Sequence, residues 1–160
     1  MYSTTLCFVV DGLPARNVLL GMKKNGFGKG KYNGFGGKIE QNEGIKAAVL
    51  RELEEECGLI AAEQDLEKVG ELDFIFPEQP AWDHDVHIYI VKRWQGGIRE
   101  TEEMKPEWFT VAAVPYATMW QDDIHWLPQV LQGEKIKGEV QFAADNESVR
   151  AVTITAVSSF

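Results

Sequence analysis

The chain has 160 residues, of which 44% are hydrophobic and 26% are charged, the composition of a globular protein that forms one domain over residues 1–160. Its formal net charge of −9 argues against sequence-independent binding to a nucleic-acid polymer, because that binding needs a basic surface. No stretch approaches the roughly 18 consecutive apolar residues of a membrane helix, so the sequence predicts no membrane segment.

The first residues and the cysteines bear on the cellular compartment. The charged and then apolar build of a signal peptide is absent from the first ten residues, MYSTTLCFVV. Cys7 and Cys57 do not form a C-x-x-C pair and lie in apolar or helical surroundings. This predicts buried free thiols in a reducing compartment, and we expect a cytoplasmic protein.

The pattern of apolar residues and turn formers predicts a chain of mixed α and β structure. Strands over 4–10 and 17–22 form a hairpin around Asp11-Gly12 and Pro14. Residues 23–37 contain six glycines, which is typical of a loop whose backbone approaches a ligand closely; a flexible loop with solvated lysines is the alternative. Further strands are predicted over 66–76, 86–94, 107–111, 138–143 and 151–157, and helices over 43–57 and from Asp122 onward. Many strands with two separated helices indicate an α/β (α+β) fold, a mixed sheet with helices on both faces.

The helix predicted over 43–57 carries the most specific pattern in the chain. Asn42 suits its N-cap and Gly58 suits its C-terminal stop. At about 100° per residue its residues divide between two faces. One face is apolar, with the aliphatic stem of one lysine, and comprises Lys46, Val49, Leu50, Leu53 and Cys57. The other face is charged and comprises Arg51, Glu52, Glu55 and Glu56.

Three carboxylates on adjacent turns of this helix repel one another by a few tenths of a kcal/mol per exposed pair. A hard divalent cation such as Mg²⁺ removes that conflict, because clustered carboxylate oxygens are its preferred ligands. A solvated acidic face is the alternative interpretation of the three acids taken alone.

The spacing around the helix favours the metal-binding interpretation. It reads Gly37, five residues, Glu43, seven residues, Arg51-Glu52, an aliphatic residue, one residue, Glu55-Glu56, one residue, Gly58 and an aliphatic residue. These nine positions over 23 residues resemble the signature of the Nudix hydrolase superfamily. The resemblance implies an α/β/α sandwich around a mixed sheet. It also implies hydrolysis of nucleoside diphosphates linked to another group, by attack of water on phosphorus.

The resemblance implies a metal site and catalytic residues as well. Mg²⁺, with Mn²⁺ as an alternative, would bind the backbone carbonyl of Gly36 and the carboxylates of Glu52, Glu55, Glu56 and Glu103. Arg51 would orient this cluster through Glu43, a role compatible with an i,i+4 pair to Glu55. Two residues are candidates for the base that takes the proton of water, Glu56 first and Glu103 second. Glu103 lies outside the signature, ahead of Pro106, Trp108 and Phe109.

Stretches outside the signature resemble the oxidised-purine nucleoside triphosphate diphosphatases. These stretches are V-L-L-G-M-K-K, G-F-G-x-G, N-G-F-G-G-K, E-M-x-P-x-W-F and M-W-x-D-D. The resemblance implies a purine nucleoside triphosphate as substrate, with 8-oxo-dGTP and 2-hydroxy-dATP converted to monophosphate and pyrophosphate. It assigns a substrate site to Thr5, Lys23, Phe27, Asn33, Phe35, Gly36, Gly37, Lys38, Phe74, His84, Trp120, Asp122 and Asp123.

The chemistry of several of these residues suits a purine. Phe27 and Trp120 offer flat faces for stacking, and Asn33 can both donate to and accept from a base edge. Asp122 and Asp123 are adjacent carboxyl groups that in a pocket tend to share one proton, so that one donates while the other accepts. The alternatives are a core position for Trp120 and a helix cap followed by a first-turn acid for the two aspartates.

One position departs from the resemblance. His84 stands where the best-known members of that group have an apolar methionine, and a titratable ring there could alter the base preference. This departure bears on 2-hydroxy-dATP in particular.

Other functions remain open from the sequence. Hydrolysis of ADP-ribose, diadenosine polyphosphates or another linked diphosphate is the alternative within the superfamily, and M-W-Q-D-D argues against it. A catalytically silent nucleotide-binding module is the alternative from another class, and the intact acidic cluster argues against that. A general RNA-decapping role does not suit the acidic charge. We expect the chain to act as a monomer.

Overall fold

The protein is described by a computed structural model of residues 1–160. It contains eight strands and two α-helices. The strands are β1 (Tyr2–Val10), β2 (Asn17–Lys23), β3 (Tyr32–Asn33), β4 (Leu66–Ile75), β5 (His84–Val91), β6 (Met104–Thr110), β7 (Lys135–Phe142) and β8 (Val149–Val157), and the helices are α1 (Ile45–Cys57) and α2 (Leu127–Leu131). Short 3-10 turns cover Pro80–Trp82 and Asp123–His125, among others.

All eight strands belong to one mixed sheet. Its order is β3-β2-β1-β5-β4-β7-β8, and β6 pairs with β2 outside this path. The pairs β1–β5 and β4–β7 are parallel, and the other pairs are antiparallel. The predicted α/β architecture, a mixed sheet with helices on both faces, is confirmed.

The alternation of apolar residues along β1 builds two cores, one on each face of the sheet. Phe8 and Val10 face a core that includes Trp126 of the segment leading into α2. Cys7 and Val9 face a core under α1, which contributes Val49, Leu53 and Cys57 among others. Each fully buried apolar side chain stabilises the fold by about 1.5–3 kcal/mol, so α1 is fixed to the sheet by its apolar face.

Strands β1 and β2 separate after a short pairing, and this separation makes room for a site. They pair only at Val9–Leu19 and Val10–Val18. Towards its start β1 bonds instead to the chain that leads into α1. The amide of Cys7 donates to the carbonyl of Phe35 at 2.7 Å, and the amide of Thr5 donates to the carbonyl of Gly37 at 2.9 Å. The segment that contains Gly36 and Gly37 therefore lies against the first half of β1.

The ends of α1 differ in part from the sequence prediction. The helix ends at Gly58, which has the predicted left-handed conformation with φ of 80°. It begins at Ile45 with Gly44 as N-cap, because Asn42 adopts φ of 62° in a turn and cannot cap the helix. Glu43 therefore lies in the preceding turn. Lys46 is exposed instead of lying along the apolar face.

Other boundaries also differ. β6 begins at Met104 instead of Glu107, because the whole segment pairs with β2. The helix expected from Asp122 is a 3-10 turn over Asp123–His125 followed by α2. A two-residue strand, β3, lies within the predicted loop. Both cysteines are free and buried as predicted, and no helix is long and apolar enough to cross a membrane.

Candidate active site

Arg51 is bonded to three carboxylates around the charged face of α1. Its Nε and Nη2 donate to the two oxygens of Glu43 at 2.7 and 2.9 Å, a bidentate pair. Its Nη1 donates to Glu52 at 2.9 Å and lies 3.5 Å from Glu55. The bonds from Arg51 lower the pKa of Glu43 to about 2. Arg51 therefore joins the turn before α1 to the helix and fixes the side chain of Glu52.

Glu56 is the buried member of the acidic cluster, with 4% of its surface exposed. The amide of Gly36 donates to its Oε1 at 2.8 Å. Burial raises the pKa of Glu56 to about 8, and repulsion from Glu52 and Glu103 adds to the rise, while the Gly36 bond opposes it. Burial also raises the pKa of Glu52, against the opposing effect of Arg51. Both carboxyl groups are therefore harder to ionise than an exposed glutamate, because burial disfavours their charged forms.

Glu103 is brought to this cluster from a distant loop. The Thr101 hydroxyl donates to the backbone carbonyl of Glu56 at 3.0 Å and accepts from the amides of Glu103 and Met104 at 3.3 and 3.1 Å. The loop is therefore tethered to the C-terminal turn of α1. The Glu103 side chain itself is exposed.

The donor atoms of this cluster suit a hard cation. In the present side-chain arrangement no group of three acidic, histidine or cysteine residues has metal-binding geometry. However, a Cβ on Gly37 would lie 2.5 Å from Oε1 of Glu52, so the glycine lets the backbone lie directly against a carboxylate. Backbone carbonyl and carboxylate oxygens are the ligands that Mg²⁺ uses. Burial is the main cause of the raised pKa of Glu56, and a cation would relieve the repulsion from Glu52 and Glu103 that adds to it.

A cavity of about 300 Å³ adjoins Glu56 and opens between β1 and the glycine-rich loop. Its lining combines aromatic side chains with a few polar groups, which is typical of a small-molecule site. Twelve of the residues singled out from the sequence line it: Thr5, Lys23, Phe27, Asn33, Gly36, Gly37, Glu56, Phe74, His84, Trp120, Asp122 and Asp123.

Two residues assigned to the substrate site lie elsewhere. Phe35 is fully buried in the core under α1, because its backbone pairing with Cys7 turns the side chain to that face of the sheet. Lys38 is exposed, and its Nζ lies 4.7 Å from the centre of the Tyr2 ring. Neither side chain lines the cavity.

Aromatic rings form the mouth of the cavity. The ring centres of Phe27 and Trp120 are 5.0 Å apart, and those of Phe27 and Trp82 are 5.5 Å apart. Gly28 allows this approach, because a Cβ there would lie 3.3 Å from the Trp120 ring. Phe27 remains 66% exposed, so part of its surface is available to a flat ligand.

Asp122 and Asp123 lie on the cavity wall and are 3% and 2% exposed. Trp126 Nε1 donates to Asp122 at 2.8 Å, whereas Oδ2 of Asp123 is buried without a partner. Burial raises the pKa of both carboxyl groups, and the neighbouring Asp122 raises that of Asp123 further. Ionisation of both groups together is therefore disfavoured, and the hydrogen bond from Trp126 makes Asp122 the more easily ionised of the two.

Some lining residues were not anticipated from the sequence. They are Tyr2, Lys31, Phe76, Met104, Trp126 and Phe142, among others. Tyr2 and Phe142 belong to strands far apart in the chain, and only the order of strands in the sheet brings them to one cavity. Lys31 lies within the predicted glycine-rich loop, and its Nζ lies 5.0 Å from the centre of the Trp120 ring.

Known proteins share this fold and sequence. The family profile described as NUDIX domain matches residues 3–130. The chain is 41% identical over 160 residues to the oxidized purine nucleoside triphosphate hydrolase of Mus musculus, with 100% of both chains covered. It is 42% identical over 142 residues to the protein of that name from Danio rerio, with 89% of each covered.

A solved structure agrees in fold. The crystal structure of a MutT protein from Bacillus halodurans superposes with a TM-score of 0.81 at 25% identity, covering 96% of this chain and 97% of that one. The family profile spans both the acidic cluster on α1 and the aspartate pair. By sequence and by fold, this chain belongs to the Nudix hydrolase family.

Proposed function

We propose that the protein hydrolyses oxidised purine nucleoside triphosphates, 8-oxo-dGTP first and 2-hydroxy-dATP second, to monophosphate and pyrophosphate, and so keeps damaged precursors out of DNA. One observation carries the proposal. The cavity next to the acidic cluster of α1 is lined by Asp122 and Asp123, two adjacent buried carboxyl groups whose pKa values burial raises. The names of the mouse and zebrafish relatives support the same class of substrate.

The cavity offers a complementary group for each part of a purine. Trp120 and Phe27 would stack on the base. Neutral Asp123 would donate to a carbonyl oxygen such as O6, and ionised Asp122 would accept from ring or amino N–H groups. The Oδ1 of Asn33 accepts a hydrogen bond from the backbone amide of Gly34 at 2.8 Å. The Nδ2 of Asn33 therefore remains free to donate to the base. A proton that moves between the aspartates would let one cavity accept oxidised guanine or oxidised adenine.

The acidic cluster would carry out the phosphate chemistry. Glu52, Glu55, Glu56, Glu103 and the carbonyl of Gly36 would hold Mg²⁺, with Mn²⁺ as an alternative. When bound, the metal neutralises phosphate charge and lowers the pKa of water.

The protein residues would position the reactants around that cluster. Arg51 keeps Glu52 in place, and Lys23 on the cavity wall would bind a phosphate oxygen. Glu56 is the first candidate for the base that takes the proton of water, because it is buried beside the cavity. Glu103, exposed on its tethered loop, is the second.

Pyrophosphate or monophosphate release from a panel of nucleotides tests this proposal. The panel comprises 8-oxo-dGTP, 2-hydroxy-dATP, dGTP, dATP and ADP-ribose, each assayed with Mg²⁺. We expect 8-oxo-dGTP to have the highest kcat/KM and to exceed dGTP clearly. Equal values for 8-oxo-dGTP and dGTP would contradict the assignment of the base site, and a preference for ADP-ribose would support the alternative activity within the family. Glu56→Gln, checked for folding by circular dichroism, is the inactive control.

A further inference from the structure

His84 begins β5 and lines the cavity, yet both faces of its ring are covered. The Tyr2 ring is nearly parallel to it at 14° with centres 5.0 Å apart, and the Phe76 ring is at 19° and 6.1 Å. Tyr2 belongs to β1 and Phe76 directly follows β4; because β5 lies between these two strands in the sheet, the two rings approach His84 from opposite sides. A base cannot stack on His84, so a ligand meets only the edge of the ring.

The hydrogen bonding of His84 fixes which edge is available. Its Nδ1 lies 2.7 Å from the backbone carbonyl of Trp82, and a carbonyl only accepts, so Nδ1 carries the hydrogen. Burial lowers the pKa of His84, which favours the neutral ring. In a neutral ring with hydrogen on Nδ1, Nε2 bears a lone pair. Nε2 has no hydrogen-bond partner within the protein, and His84 is one of the residues that line the cavity.

We propose, on the basis of the proposed function, that His84 is a specificity-determining residue whose Nε2 accepts a hydrogen bond from a ring N–H that oxidation creates on the purine. Oxidation of guanine at C8 places a hydrogen on N7, where the undamaged base has a lone pair. The N7 hydrogen of the damaged base therefore donates to Nε2 of His84. In the undamaged base, the N7 lone pair faces the Nε2 lone pair, and neither acceptor has a donor. This is discrimination through an unpaired polar group, which separates ligands more strongly than a difference in size.

Binding of nucleoside monophosphates without metal isolates this contact from the hydrolysis step. The dissociation constants of 8-oxo-dGMP and dGMP are measured by calorimetry for the wild type, His84→Phe and His84→Gln. Phenylalanine keeps a flat ring between Tyr2 and Phe76 but has no acceptor, and we expect it to reduce the preference for 8-oxo-dGMP about five- to tenfold. Glutamine offers a side-chain oxygen and should restore part of the preference.

His87→Gln is the matched control. His87 lies on the same strand, faces Lys68 instead of the cavity, and has Nδ1 2.9 Å from Nζ of that lysine; its substitution should leave the preference unchanged. The ¹⁵N shifts of the wild-type His84 ring should show the hydrogen on Nδ1 in the free protein. The groups whose charge acts on His84 are Asp83, Asp85 and Lys38, so all variants are compared at one pH.

The outcomes separate this inference from the proposed function. A wild-type protein without any preference for 8-oxo-dGMP would remove the proposed function together with the inference. A wild-type preference that His84→Phe retains in full would overturn the inference alone. A ring with its hydrogen on Nε2 would also overturn it, because the acceptor would then be absent.

Discussion

Glu56 is a buried carboxyl group whose proton connects the stability of the fold to pH. Its pKa is raised to about 8 in the folded protein, against about 4.3 in an unfolded chain. Between these values the folded state holds a proton that the unfolded state has released. The free energy of unfolding of the metal-free protein therefore falls as pH rises from about 5 to 8.

The first prediction is that Glu56→Gln reduces this pH dependence by a few kcal/mol in all, because the amide cannot ionise. The measurement is denaturant-induced unfolding in the presence of a chelator at several pH values. The slope that remains in the variant belongs to other groups with raised pKa values, Asp122 and Asp123 among them. Parallel curves for the two proteins would show that Glu56 is ionised in the fold at neutral pH.

Asp122 is the member of the aspartate pair that accepts a hydrogen bond from Trp126, which favours its ionised form over that of Asp123. The second prediction is that Asp122→Asn lowers kcat/KM for 8-oxo-dGTP about ten- to a hundredfold, the effect of losing a hydrogen bond to a charged group. Hydrolysis of a poor substrate such as dATP should change much less, because the acidic cluster is untouched. An unchanged ranking of substrates would remove Asp122 from base recognition.

The turn before α1 places the backbone against the helix carboxylates. The third prediction is that Gly37→Ala lowers kcat about a hundredfold, because a Cβ 2.5 Å from Oε1 and 2.9 Å from Cδ of Glu52 displaces that carboxylate by a substantial part of an ångström. The thermal midpoint should change little, since the carboxylate can move. Steady-state kinetics with matched melting curves measures both effects.

Two other glycines serve as controls for Gly37→Ala. Gly97→Ala should leave both kcat and the thermal midpoint unchanged, because a Cβ there meets nothing within 4 Å. Gly36→Ala should instead impair folding, because its Cβ would collide with the backbone carbonyl of Thr5. A Gly37→Ala protein with full activity would show that the position of Glu52 does not limit the reaction.

The sequence predicted the elements that depend on local patterns. The apolar face of α1 and its stop at Gly58 follow from helical periodicity and from the left-handed conformation that glycine permits. The start of α1 was predicted wrongly because Asn42 suits two roles, an N-cap and a turn with positive φ, and the structure uses the second. Local preference could not decide between them.

Contacts between distant segments set the limit of prediction from sequence. Phe35 stands between glycines that line the cavity, and only its pairing with Cys7 shows that its side chain enters the core. The tether from Thr101 to the end of α1 joins residues 45 positions apart. The resemblance to a family indicated Glu103, but no local pattern predicted the bond that holds its loop.

At the scale of the whole molecule, a protein of net charge −9 would have to bind a triphosphate of the same sign. Lys23 and Lys31 on the cavity wall supply some positive charge, and the acidic cluster would need a cation before a phosphate could approach. Coordination of that cation by Glu56 would release the proton that this group retains. Metal affinity and pH should therefore be linked.

The fourth prediction is that Mg²⁺ raises the melting temperature more at pH 8.5 than at pH 6. Mg²⁺ at a hundred times its Kd raises the free energy of unfolding by about 2.7 kcal/mol. For a domain of this size that corresponds to a rise of roughly 5–10 °C in the melting temperature. At pH 6 part of the free energy of Mg²⁺ binding is used to remove the proton from Glu56, so the rise in melting temperature is smaller. The metal-free protein loses stability over the same rise in pH, and saturation with metal should weaken or reverse that trend.

Melting curves with Mg²⁺ and with NaCl at equal ionic strength measure the specific effect. Calorimetry in buffers of different ionisation enthalpy counts the protons released on binding. Glu56→Gln should abolish both the release and the pH dependence of the shift, because no proton is then displaced. An Mg²⁺ shift of the same size at both pH values, or the same release from the variant, would place the cation away from Glu56.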